Sequence, residues 1–116
     1  MTSKWGNMLT IEEVKELIRS EAEDSLTATN HGMTLKQALI HPQRIPIIER
    51  TVSAGRTTDR NTDVWLVGRE NIADGYLIIL RDGDRQFGLA SKGFPTDKCP
   101  ILVGWYGALR TAFLGM

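Results

Sequence analysis

Two histidines, one cysteine and a scatter of carboxylates are the side chains in this sequence best suited to chemistry. Neither His31 nor His41 has a metal-ligand companion at a useful spacing. His-Glu-x-x-His and paired Cys-x-x-Cys patterns are absent, and the lone Cys99 cannot build a structural zinc site of the usual kinds. Cys99 could act as a nucleophile only if folding brought a histidine to it. Pro100 follows it directly and no nucleophile signature surrounds it, so it reads as an inert thiol. Asp82 and Asp84 flank Gly83, and Asp74 precedes Gly75, but the remaining ligands of a calcium loop are missing. Turn formation accounts for all three aspartates. Asp63 and Glu70 bracket a strand-like run around Trp65, and with His41 they are the set from which a small hydrolase or nuclease would have to draw. No loop has the Gly-Lys-Ser/Thr ending that cradles phosphate. Gly104-Trp105-Tyr106-Gly107 opens the last predicted helix, whose first amides could hold an anion, although packing of the two aromatic rings on a sheet is the favoured reading. No catalytic residue, cofactor, metal ligand or small-molecule site is assigned on this basis, and the chain reads as a non-enzyme.

Charge narrows the partners. Lys plus Arg and Asp plus Glu number 14 each, so the formal net charge is zero. Non-specific nucleic-acid binding draws its affinity from a basic surplus that displaces counterions. The one basic stretch holds Arg44, Arg50, Arg56 and Arg60 against two acids. A solvated rim is the favoured reading, and a weak nucleic-acid binder built on those four arginines is the minor one. A single cysteine rules out an intrachain disulfide, which disfavours a secreted mini-domain. Neither a signal peptide nor an apolar run of membrane-spanning length is evident, so the cytosol is the expected compartment.

The elements that would position these residues follow from periodicity. At 116 residues the chain suits one α+β domain over 1–116, with 1–9 as a loose leading segment. Thr10-Ile11-Glu12-Glu13 matches a capping box, and the apolar spacing behind it predicts a helix over about 11–26. Asn30 or Gly32 would end it in the left-handed conformation. Thr34 would cap a short helix over Leu35–Ile40, stopped by Pro42. Residues 43–53 read as a strand interrupted by Pro46, hence an edge strand. Residues 54–62 are polar and read as an exposed loop. Val64–Val67 and Gly75–Leu80 read as strands, and Asp82-Gly83 as the tight turn joining 75–81 to 85–91. Leu102, Tyr106, Leu109, Phe113 and Met116 recur at helical spacing and predict a C-terminal helix over 101–116. The order suits an antiparallel sheet of three to five strands with an N-terminal and a C-terminal helix packed on it.

Side chains alternate faces along a strand. Tyr76, Ile78 and Leu80 oppose Leu77 and Ile79, and Val64 and Leu66 oppose Trp65 and Val67, so both central strands are apolar on both faces. A sheet with one wet face would alternate instead. The second face needs the chain's own cover, a second copy or another protein. This surplus, with Trp5, Trp65 and Trp105 in so short a chain, points to a protein-interaction domain, either self-associating as a homodimer or binding another protein partner. Trp105, Tyr106 and Trp5 are the candidate contact residues.

Trp65-Leu66-Val67 with Glu70, Asp74-Gly75-Tyr76, Phe87-Gly88-Leu89-Ala90 and Gly104-Trp105-Tyr106-Gly107 carry a resemblance that covers roughly residues 60–116. The C-terminal half resembles small bacterial cytosolic proteins, some of the immunity-protein type that sit beside toxin genes. The resemblance implies a non-catalytic, partner-binding role.

Overall fold

The computed structural model describes residues 8–72, 75–92 and 98–116. Helix α1 spans Ile11–Ala22 and opens with the capping box read from the sequence: the Thr10 side chain accepts from the Glu13 amide, and Glu13 accepts from the Thr10 amide. It stops four residues short of expectation, and Leu26 lies outside it, exposed. A two-residue turn then joins β1 (Thr29–Asn30) to β2 (Met33–Thr34). His31 and Gly32 take the left-handed conformation there, at φ 53° and 75°. Asn30 has another use: its side-chain amide donates to the Phe113 carbonyl at 2.8 Å. Thr34 caps α2 (Leu35–Ala38), again through a capping box, with Gln37 as the reciprocal partner. The chain leaves the helix at Leu39, before Pro42 is reached.

Five strands follow: β3 (Leu39–Ser53), β4 (Arg56–Arg69), β5 (Leu77–Leu80), β6 (Phe87–Ser91) and β7 (Ile101–Gly107), with α3 (Leu109–Leu114) closing the chain. They form a closed barrel in sequence order rather than the open antiparallel sheet expected. Each neighbouring pair is antiparallel. Five strands of alternating direction bring the first and last into the same sense, so the closing pair must be parallel. That pair is Ile48 with Ile101, and the Ile48 amide donates to the Pro100 carbonyl at 2.8 Å. Among the described residues, Pro46 lies where β3 has no partner on the side away from β4, as a residue without an N–H requires.

Closure resolves the two-faced strands. Trp65, Val67, Ile78, Leu80, Phe87 and Leu89 belong to one buried cluster with Val14 and Ala22 of α1, Leu35 and Ala38 of α2, and Leu109, Ala112 and Phe113 of α3. The alternate residues Ile47, Val64, Leu66, Leu77, Ile79 and Ala90 form a second buried cluster without helical members, the barrel interior. One face of the wall packs inward and the other lies under the helices. The apolar surplus is spent within the chain, and the argument for a partner drawn from it does not carry over.

Two segments depart from the sequence reading. Residues 101–107 are strand, not helix: the apolar three-and-four spacing of 102–116 is shared between a strand and a six-residue helix. Ile101-Leu102-Val103 and the aromatic pair Trp105-Tyr106 favour strand, and Gly107 breaks the chain at φ 84° before α3 begins. Residues 56–62 are strand, not loop. The two-residue primed turn lies at Ala54-Gly55, both at positive φ (52° and 76°). At Asp82-Gly83 the loop is longer: Arg81 and Gln86 close it, and the left-handed residue is Arg85. The pairing of 77–80 with 87–90 is antiparallel as expected. No helix among the described residues is long and apolar enough to cross a membrane.

Candidate interaction surface

The β3–β4 hairpin is much longer than the barrel needs. Between Ile48, where β3 meets β7, and Trp65, where β4 meets β5, the two strands pair only with each other among the described residues. Every residue from Arg50 to Asn61 is exposed. At 3.3–3.4 Å per residue this arm reaches about 20 Å beyond the barrel rim. Among the described residues no apolar core supports it, so its order comes from the ladder, the tight turn and cross-strand pairs. Arg50 clamps Asp59 through two parallel hydrogen bonds of 2.8 and 2.9 Å. Glu49 accepts from the Thr62 hydroxyl at 2.6 Å and from Arg60 at 3.1 Å. The Thr62 hydrogen bond holds the Glu49 carboxyl below its ordinary range, with Arg60 assisting. The Arg50 hydrogen bonds do the same for Asp59. At the tip Val52 is 71% exposed opposite Thr57.

The arm's root is tied down by Asp82. One carboxylate oxygen accepts from the Leu9 amide (3.0 Å) and from the Trp65 indole N–H (3.1 Å), and the other from Arg44 (2.6 Å). The Arg44 guanidinium also lies 5.2 Å from the centroid of the Trp65 ring. A residue read as a turn former thus joins the start of the chain, β3, β4 and the β5–β6 loop. Its contacts span up to 73 positions, and nothing local in the sequence announces them.

Three of the four arginines proposed for nucleic acid are held by carboxylates: Arg44 by Asp82, Arg50 by Asp59 and Arg60 by Glu49. The three residues proposed for hydrolysis lie at separate places. His41 is exposed in the irregular start of β3, and Asp63 is exposed on β4 opposite Pro46. Glu70 follows β4 and accepts from the Tyr76 amide at 2.9 Å. Glu70 does line a surface hollow of about 280 Å³ with His31, Met33 and Ile72. The ring of His31 is engaged there with the Met116 carbonyl at 2.8 Å. Cys99 is half-buried. No group of three or more His, Cys, Asp or Glu side chains is placed to hold a metal among the described residues.

Of the candidate contact residues, Trp5 lies outside the described residues. Trp105 lies within β7 rather than opening a helix. It is half-buried against the interior cluster, with Arg81 stacked 4.4 Å from its ring centroid and its indole N–H buried without a partner among the described residues. A Cβ on Gly88 would come within 2.6 Å of that ring and 2.4 Å of the Gly104 carbonyl, so glycine permits the close approach of β6 and β7. Tyr106 stays 37% exposed. The start of α3 is occupied by the chain's own Glu21, which accepts from the Leu109 amide at 3.0 Å, in place of any anion. Compared with known proteins, the chain matches no family model, no curated protein and no solved structure.

Proposed function

We propose that this chain is a small, non-catalytic protein-binding domain whose contact element is the β3–β4 arm. The observation that supports the reading is the run of exposed residues from Arg50 to Asn61, ordered as strand yet enclosing no core. Long unpaired strand edges invite association and are usually shortened or covered. Here the edge is kept and stiffened by ion pairs. Tyr106, the aromatic candidate with an open ring, is a second contact. An immunity-like role against a toxin-like protein is the form of this reading that the resemblance of the C-terminal half implies.

The test shortens the arm without disturbing its register. Glu49 and Arg60 are ladder partners, so deleting 50–53 and 56–59 leaves Ala54-Gly55 as the same two-residue turn between them. Affinity capture from the source organism is run with both chains, with light scattering at several concentrations alongside. A partner held by the full chain and lost by the shortened one is expected. Equal capture by both chains would overturn the arm's role. Turnover of an ester, phosphodiester or RNA substrate, abolished by His41→Ala or Asp63→Asn, would overturn the non-catalytic reading.

A further inference from the structure

The outer edge of β4 carries a charge pattern that selects its partner. Along Arg56-Thr57-Thr58-Asp59-Arg60-Asn61-Thr62-Asp63 the charges run plus, minus, plus, minus, at 56, 59, 60 and 63. The residues pair with β3 on one side only among the described residues. A second copy is the first occupant to consider. A two-fold axis across an antiparallel pair sets one residue opposite itself and its neighbours opposite their mirror positions. Centred on Thr58, that register opposes Arg56 with Arg60. Centred on Asp59 or Arg60 it opposes each with its own copy, and centred on Asn61 it opposes Asp59 with Asp63. Like charges directly opposite destabilise a ladder. Registers centred nearer the tip retain only a few residues, and those nearer the barrel collide with the start of the β4–β5 ladder at Trp65. The edge is guarded against its own copy.

The same pattern is open to a different strand. We infer that the β4 edge accepts, in antiparallel register, an edge strand of a heterologous protein with acidic residues opposite Arg56 and Arg60 and basic residues opposite Asp59 and Asp63. Strand addition of this kind takes affinity from main-chain hydrogen bonds and specificity from alternate side chains. Arg56 and Asp63, at the two ends of the edge, form no ion pair of their own among the described residues. They can meet partner charges without breaking an internal contact. A preformed strand is favoured over a flexible peptide, because the arm has no apolar face to offset ordering a loose chain.

The inference rests on the protein-binding reading, and its test can fail separately. The probe is a disulfide-cyclised β-hairpin presenting Lys-Thr-Val-Glu-Lys-Val-Thr-Glu, which is complementary to Asp63 through Arg56. A second hairpin exchanges the two terminal charges. Binding is followed by NMR shifts of the arm amides, against the wild-type chain and the double variant Arg56→Glu, Asp63→Lys. The wild type should bind the first hairpin about tenfold tighter, from two cross-strand charge pairs made rather than opposed. The double variant should invert that preference with its melting temperature unchanged. Equal affinities, no inversion, or no shifts with either hairpin at millimolar concentration would overturn the inference. If the host partner is still lost on shortening the arm, the protein-binding reading survives that failure; if it is not, both fall.

Discussion

The barrel and the arm are built from the same two strands and held by different forces. From Val64 to Gly68, β4 is buried residue after residue, inward against Ile79 and Ala90 and outward under the helices. From Arg56 to Asn61, the same strand is exposed throughout, and β3 opposite it becomes exposed from Arg50. Apolar burial orders the first region, at roughly 25 cal/mol for each Å² removed from water. The second has no such term, so its ladder, its turn and the Arg50–Asp59 and Arg60–Glu49 pairs must suffice. Exposed ion pairs contribute about 1 kcal/mol at most. A strand can therefore leave a core and remain a strand, and the residues that leave are released from packing.

Substitutions on the two sides of that boundary should separate cleanly. Phe113→Ala removes a fully buried ring from the cluster joining α3 to the barrel and should cost about 3–5 kcal/mol in urea unfolding. Asp82→Ala strands the Trp65 indole, the Leu9 amide and the Arg44 guanidinium together, and a loss of about 2 kcal/mol is expected. In the arm, Gly55→Val forces a branched side chain into φ 76° and should cost about 1–2 kcal/mol locally, read as faster exchange of the tip amides with little change in global melting. Arg50→Ala should move global stability by less than 1 kcal/mol, and less still in high salt. A loss from Arg50→Ala comparable to that from Phe113→Ala would erase the distinction.

Acid sharpens the contrast. Glu49 and Asp59 have folded pKa values lowered by Thr62 and Arg50 respectively, so their contribution is complete above the ordinary carboxylate range, near pH 4. It is lost as pH falls through the lowered folded values. Asp84, held low by Arg81, and Glu13, held low by the Thr10 amide, add the same sign in the barrel loop and the first helix. Arm resonances should therefore shift on acidification below about pH 4 while those of Leu77–Leu80 hold their positions.

The sequence was legible where local chemistry and burial agreed. The capping box of Thr10 with Glu13 marks its helix by hydrogen bonds three residues apart, and Thr34 caps its short helix as expected, with Gln37 as a reciprocal partner that the sequence reading did not name. The alternation of 77–80 and 64–67 separates two apolar faces as expected, while Tyr76, expected beside Ile78 and Leu80, lies before β5 and is exposed. What alternation could not say is that the second face curls into a barrel, because closure depends on Ile48 reaching Ile101, 53 positions away. Of the arm, 50–53 reads as strand and is strand, whereas 56–62 reads as loop because strand is recognised mainly through apolar alternation, which a strand outside the core has no reason to carry. Thr57, Thr58 and Thr62 were the available signal, β-branched residues suited to strand. The Asp82 hub was invisible for the same reason as closure: its partners Leu9, Arg44 and Trp65 are distant in sequence.

The central claim is that β4 leaves the barrel with its outer edge open, and amide hydrogen exchange of residues 56–63 in the isolated chain tests it directly. Alternate amides along this stretch should be protected by β3 while those between them exchange at nearly unprotected rates, independently of protein concentration, and Leu77–Leu80 should exchange only through global unfolding. Continuous protection across 56–63, matching that of Leu77–Leu80 or growing with concentration, would mean that the edge is already covered and would contradict the account.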